Sequence, residues 1–248
     1  MRTDHPACWV PARPYPFMLD RRNSAVLVVD MQQGFAGLGG WWDVAGVDVS
    51  GVRATLPRIA RVLDACRQVA IPVIYLAMDL EGAQDVSDPR LDHYFASVRP
   101  PFATPKNRRA TLPPGVRQSD ILPELKPQAA ETIIIKPHLS GFYETDLDVT
   151  LRDLGVTSLI FTGCTTSICV ESTLRDASFR DYRCLALSDC MDEPIGSGYQ
   201  RTNHEATLLQ VELTFGWVAD SAAFISALDD RPAVGATAGT PTSNGGQD

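Results

Sequence analysis

Three residues far apart in this 248-residue chain could do chemistry together: Asp30, Lys136 and Cys169. A thiolate is a good nucleophile near neutral pH when a cation stabilises it, and Lys136 can be that cation. A carboxylate beside the sulfur can take its proton and later hand it to a leaving amine, which suits Asp30. Asp30 and Lys136 would also hold each other charged. Backbone N–H groups of the turn before the cysteine, those of Thr165 and Cys169, are candidate donors to an oxyanion. Such a set describes hydrolysis of a C–N bond through a thioester-like intermediate.

Each residue also has a plainer explanation. A free cysteine is commonly a small buried hydrophobe. An Asp after an apolar strand commonly caps a helix or orders a loop, and a Lys before Pro137 is commonly a solvated strand end. What joins the three is their placement. Asp30 follows Ala25-Val-Leu-Val-Val29, and Lys136 follows Thr132-Ile-Ile-Ile135. Cys169 stands one turn beyond the apolar run Leu159 to Thr162, where Gly163 breaks the pattern. Val170, Leu174 and Ala177 then fall on one helical face. Strand, tight turn and helix are expected there, with Cys169 at the helix start, where the positive end of the helix favours the thiolate.

The elements that would hold these residues alternate along the chain. Further strands are expected at Val73 to Ala77, Cys184 to Ser188 (ending at Asp189) and Phe215 to Val218. Helices are expected at Val49 to Ala70, with Pro57 kinking it or shifting its start, and at Thr145 to Leu154, with Thr145 and Gly155 as caps. Others are expected from Cys169 to Asp181, Tyr199 to Glu212 and Ser221 to Leu228. The fold class that follows is α/β: a doubly wound, mainly parallel six-stranded sheet with helices on both faces. Sites in such sheets lie beyond the carboxyl ends of the strands, where all three residues fall. If their strands are neighbours, the side chains meet in one crevice.

Residues 1–22 carry four prolines and little periodicity, and are expected to form an extended arm over the surface or against a partner subunit. The hydrolase domain is expected over residues 23–230, and a disordered Gly/Ala/Thr/Ser/Pro-rich tail over 231–248. Leu80 to Arg117 is rich in Pro, Asp and Arg and weakly periodic. It suits a substrate-specificity loop, with a solvated insertion as the alternative.

A net charge of −8 argues against an extended nucleic-acid surface or an anionic membrane as partner, and no apolar run reaches the length of a membrane span. The six cysteines, Cys8, Cys66, Cys164, Cys169, Cys184 and Cys190, show no CxxC pair and no metal-ligand spacing with histidine. The first residues lack the apolar core of a signal peptide. A reducing, cytoplasmic setting is expected.

The motifs VLVVD, IIIKPHLSGFYETDLD and FTGCTTSICVESTLRDA, ending in or holding Asp30, Lys136 and Cys169, resemble the isochorismatase-like cysteine hydrolases. The likeness runs from about Ser24 to Leu228 and keeps the three motifs in the family's order. It implies that Asp30, Lys136 and Cys169 are a catalytic triad and that the Cys164–Thr165 peptide is cis. Within the family, GGWWDVAGVDVS, CVESTLRDASF and TFGWVAD resemble the ureidoacrylate amidohydrolases. Nicotinamidases of the family carry an Asp and two closely spaced His as a metal site. Here Asp79 is followed by Leu80 and Glu81, so no catalytic metal and no cofactor is expected. Family members that cleave a vinyl ether can lack the cysteine, so Cys169 points to an amidase.

Substrate contacts are expected from Gln32, Phe35 and Trp41 after the first strand, and from His138 and Tyr143 after Lys136, with packing as the alternative. Trp42 is open to the same two readings. His204 is expected on a helix surface, and His93 at the surface or against substrate. The Gly34 to Gly40 loop matches neither GxGxxG nor a P-loop, which weighs against a nucleotide-binding oxidoreductase. A catalytically silent binding module on the same fold is the other rival. The substrate stays open among a ureido acid, a carbamoyl amino acid, biuret and a lactam. A homo-oligomer is expected from the apolar late helices and the N-terminal arm.

Overall fold

The structure is a computed structural model and describes residues 7–80, 111–195 and 200–229. Its central sheet has six parallel strands: β3 (Ser24–Val29), β4 (Val73–Met78), β5 (Thr132–Lys136), β6 (Ser158–Cys164), β7 (Arg183–Asp192) and β8 (Trp217–Ala219). They run in the order β5-β4-β3-β6-β7-β8, with every neighbouring pair parallel. The central strands β3, β4 and β6 are buried at every position, as continuous apolar runs covered on both faces require.

Side chains alternate between two cores. On one face Val26, Val28, Tyr75, Ile160 and Leu185 meet Val52, Leu56, Ile59 and Leu63 of a long helix (Ser50–Gln68) and Phe224 of the last helix (Ser221–Asp229). On the other, Leu27, Val29, Leu76, Leu159 and Phe161 meet Leu147 and Leu151 of the helix Leu147–Asp153 and Leu174 and Ala177 of the helix Glu171–Ser178. The order of strands reverses between β3 and β6, and the carboxyl ends of these two strands define the crevice where this class of sheet binds small molecules.

Several boundaries differ from the sequence reading. Gly163 does not end its strand, because β6 runs on to Cys164. Pairing with β7 slips between Phe161 and Gly163, so the ladder bulges instead of stopping. β7 likewise extends past Asp189 to Asp192. Thr145 is one residue too early to be the N-cap, which is Asp146, yet its hydroxyl accepts from Leu147 N. Gly155 adopts the left-handed conformation just past Leu154. The helix expected from Tyr199 is assigned over Asn203–Gln210 and opens on a capping box between Thr202 and Glu205, a T-x-x-E signature present in the sequence.

The first residues contribute more than an arm. Strands β1 (Ala7–Val10) and β2 (Phe17–Asp20) form an antiparallel hairpin. Val10, Phe17 and Leu19 are fully buried in the first core, while Trp9 and Met18 face out. That alternation was available in the sequence but is short, and the prolines around it obscured it. Arg13 N donates to Val218 O and Val218 N to Arg13 O, tying the hairpin to β8.

Candidate active site

Asp30, Lys136 and Cys169 come to one rim of the sheet. Asp30 follows β3 and adopts a left-handed backbone (φ 52°), which Asp tolerates better than most residues. Lys136 is the last residue of β5, which is not β3's neighbour: β4 lies between them. The gap of two strand spacings, about 10 Å, is bridged by the length of the lysine side chain. Its Nζ lies 2.8 Å from Asp30 Oδ2, and both side chains are closed to solvent. Nζ also donates to the His138 carbonyl at 3.1 Å.

Cys169 lies on the neighbouring strand's continuation, close enough to Asp30 and Lys136 for the charge of each to act on its thiol. Beyond that ion-pair contact with Lys136, no hydrogen bond satisfies either buried Asp30 oxygen among the described residues. The carboxylate is thus held for the lysine and the thiol. Cys164 Sγ donates to the Asp30 carbonyl at 3.3 Å, fixing the backbone from below.

Cys169 is not at the start of an α-helix. It sits inside a wide turn, Thr166–Val170, that precedes the helix Glu171–Ser178. The Thr165 carbonyl accepts from Ile168 N and from Val170 N, passing over the Cys169 N–H between them. The Cys164–Thr165 peptide is cis. The thiol is also not poised as a thiolate. Burial and the neighbouring Asp30 charge push Cys169 well above the ordinary thiol range, and Lys136 only partly offsets them. Burial likewise raises Asp30, against the pull of Lys136. Burial opposes the charge on Lys136, but Asp30 and Cys169 outweigh it and hold the amine above its ordinary value. Burial and the Asp30 charge thus weigh against a thiolate at Cys169, and burial makes the Asp30 carboxyl more basic, as a proton acceptor beside a thiol requires.

The turn is held from outside by side chains that the sequence reading did not single out. Thr173 Oγ1 donates to the Cys169 carbonyl (2.7 Å) and accepts from Gly141 N (2.9 Å), joining the nucleophile's turn to the loop after Lys136. Glu193, buried just beyond β7, accepts from Ser167 N (3.0 Å), from the Ser167 hydroxyl, and from Ile195 N (3.0 Å). His204 is not a solvated surface residue: it is half-buried, with Nδ1 2.8 Å from Thr166 Oγ1. These partners lie far along the chain from the turn, and only the tertiary fold brings them to it.

The expected substrate contacts divide. Gln32 is fully buried and its amide is committed to backbone: Nε2 donates to Met78 O and Ser119 O, and Oε1 accepts from Met78 N. It locks the ends of β3 and β4, so it is a scaffold residue and not a ligand contact. Phe35 is buried with its ring 5.0 Å from that of Trp42, which is packing. Trp41 is half-buried beside Phe35. His138 and Tyr143 pair at 5.3 Å, with Tyr143 exposed. A cavity of about 500 Å³ opens beside edge strand β5, lined by Asp79, Arg117, Asp120, Ile133 and Ile135 among others. None of Asp30, Lys136 and Cys169 lines it. His93 and most of the Leu80 to Arg117 stretch lie outside the described residues. Among the described residues, no three His, Cys, Asp or Glu side chains are grouped to hold a metal ion, and no helix is long and apolar enough to cross a membrane.

A fully buried Lys–Asp pair beside a cysteine, at the switch point of a parallel sheet, defines a hydrolase class, and comparison with known proteins agrees. The isochorismatase domain model matches residues 24–223, and the chain belongs to that family. It is an amidohydrolase of the cysteine-hydrolase kind within it. A ureidoacrylate amidohydrolase of Methylobacterium radiotolerans is 38% identical over 227 residues, covering 90% of this chain and 86% of the relative. One from Variovorax paradoxus is 37% identical, covering 85% and 83%. Among solved structures, a cysteine hydrolase from Pseudomonas syringae pv. phaseolicola superposes with a TM-score of 0.68 at 27% identity, covering 92% of this chain and 99% of that one.

Proposed function

We propose that this amidohydrolase cleaves the ureido C–N bond of a small ureido acid of the ureidoacrylate type, with Cys169 as nucleophile, Asp30 as general base and acid, and Lys136 as the electrostatic partner of both. The observation that carries this reading is the buried ion pair of Lys136 and Asp30, close enough to Cys169 for both charges to act on its thiol. The relatives named for ureidoacrylate hydrolysis favour the ureido substrate over the other amides.

In the proposed reaction Asp30 takes the thiol proton as sulfur attacks the ureido carbonyl. The Lys136 ammonium favours the sulfur anion that forms, which the site does not hold at rest. The carbonyl oxygen, now negative, is met by the N–H groups of Thr165 and Cys169; one such donor is worth roughly 3–4 kcal/mol of barrier. Collapse breaks the C–N bond, and the proton held by Asp30 goes to the departing nitrogen. Water, deprotonated by Asp30, then frees the carbamoyl group from sulfur as carbamate, which decomposes to ammonia and carbon dioxide. A site that keeps the thiol neutral until substrate arrives also protects it from adventitious oxidation.

The same reading places the enzyme in a reducing compartment, supported by the buried Cys66, Cys164, Cys169, Cys184 and Cys190, which form no disulfide among the described residues. It makes the enzyme a homo-oligomer, supported by the exposed apolar side chains Trp9, Phe179 and Leu213. The experiment is ammonia release across ureidoacrylate, N-carbamoyl amino acids, biuret, nicotinamide and lactams, with Cys169→Ala alongside. Turnover of ureidoacrylate that vanishes in a folded alanine variant is expected. A fully active Cys169→Ala protein would sink the mechanism, and preference for another amide would sink the substrate.

A further inference from the structure

Glu193 is a buried carboxylate outside the Asp30–Lys136–Cys169 cluster, and the reaction as written makes no use of it. It lies immediately after β7, and β7 is the strand that bulges against β6 where the nucleophile's turn begins. Its carboxylate is spent on that turn. One oxygen accepts both the N–H and the hydroxyl of Ser167, and the other accepts Ile195 N. A buried acid with this set is tied to Ser167, two residues beyond Thr165 in the turn. Thr166 is itself tied to His204. On the far side, Thr173 holds the Cys169 carbonyl.

Within the described residues Thr165 N donates to no other group. This N–H is the donor an oxyanion would meet. Its direction is set by the peptide plane between Cys164 and Thr165, and Glu193 grips the turn two residues beyond that plane, at Ser167. We infer that Glu193 is a positioning residue for the oxyanion donors: by holding Ser167 it fixes the turn so that the Thr165 N–H is aimed at the carbonyl oxygen of the group being attacked, without touching the substrate itself. The inference rests on the reading of Cys169 as an acyl-accepting nucleophile, but not on the identity of the amide.

A merely structural Glu193 and a positioning one differ in what they do to two reactions of the same sulfur. Alkylation of Cys169 by iodoacetamide forms an S–C bond, expels iodide and develops no negative oxygen. Acylation by p-nitrophenyl acetate forms the S–acyl bond through a tetrahedral oxyanion, expels p-nitrophenolate and leaves the thiol proton on Asp30. Only the second needs the donors aimed. Glu193→Gln keeps the shape but leaves one acceptor oxygen where two are used, so Ser167 or Ile195 N meets an NH2 instead of an acceptor and the hold on the turn is weakened.

In the full-length protein, Glu193→Gln is expected to slow acylation of Cys169 by about 10²-fold, the usual cost of a misplaced catalytic group, while the alkylation rate stays near that of wild type. Ser167→Ala, which removes the hydroxyl but keeps the N–H bond, is expected to slow acylation less and to spare alkylation; it decides the matter if the glutamine variant does not fold. Equal acylation rates in variant and wild type, a parallel fall of both reactions in folded variants, or no acylation of wild-type Cys169 at all would each overturn the inference. Neither reagent is an amide, so failure of the ureido substrate in the turnover assay is a separate result.

Discussion

Lys136 Nζ and Asp30 Oδ2 are 2.8 Å apart with no solvent access to either side chain. A pair so buried is worth little against a neutral replacement of both partners but a great deal against loss of one, because the survivor is a stranded charge. Lys136→Met or Asp30→Asn alone is expected to cost about 3–5 kcal/mol. Asn suits position 30 because it accepts the left-handed backbone there. The double variant Asp30→Asn/Lys136→Met should regain much of that stability and none of the activity. Urea denaturation decides it: strictly additive losses in the double variant would mean the two charges do not depend on each other.

The acid limb of activity should lie higher than an ordinary aspartate would put it. Burial raises Asp30 above 3.8, so its basic form is lost earlier as pH falls, and kcat/KM should fall with it. Lys136 is raised above 10.5 and stays an ammonium throughout the neutral range. A pH–rate profile whose acid limb sits at or below 3.8 would remove Asp30 from the role of base.

Thr173→Val keeps the shape but strands the Cys169 carbonyl and the Gly141 N–H that Thr173 now satisfies. A loss of about 2–4 kcal/mol is expected from two unmet buried groups, with a drop in kcat. Thr173→Ser should restore both. Unchanged melting and kcat in the valine variant would show that the link between the two loops is idle.

How much of this was legible beforehand follows from the range of each signal. Strand identity was local: Val26 to Val29 and Ile133 to Ile135 read as strands because both are short continuous apolar runs, although only the first is covered on both faces and Ile133 and Ile135 stand exposed on the edge strand. The rim shared by Asp30, Lys136 and Cys169 could be read from strand polarity alone. That β4 would separate Asp30 from Lys136 could not, since strand order is a property of the whole chain. Gln32 looked like a ligand contact because it stands just after the first strand, two residues beyond Asp30. Its partners Met78 and Ser119 lie 46 and 87 residues away. The resting state of Cys169 was misjudged for a similar reason. A helix dipole is visible in a sequence pattern, whereas the depth of burial that outweighs it is not.

Gly163 faces Val29 across the site's two central strands with no room for a side chain. A Cβ there would lie 2.1 Å from Val29 O, and its φ of +115° is foreign to L side chains. Gly163→Ala is expected to cost about 1–3 kcal/mol or more from backbone alone, and to push Asp30 and Cys169 apart. Wild-type melting and turnover in that variant would contradict the close approach.

Stability should also fall on the alkaline side. Burial pushes Cys184 and Cys190 up to about 12 in the folded chain, from 9.0 when exposed. Above pH 9 the unfolded chain sheds thiol protons that the folded one keeps, so unfolding gains ground as pH climbs toward about 12. Cys184→Ala should show a shallower decline in chemical denaturation. An identical slope would mean that the buried thiols are not the cause.

The reciprocal bonds between Arg13 and Val218 carry a consequence for biosynthesis. The hairpin of β1 and β2 has its docking strand encoded about two hundred residues later, so during translation it waits unattended until β8 has emerged. Its apolar side, with Phe17 and Leu19, is meanwhile exposed to whatever the nascent chain meets. The strand β8 and the helix Ser221–Asp229 after it are thus the clasp that closes this domain, and a ribosome that stalls before them would release a hairpin that has nowhere to settle.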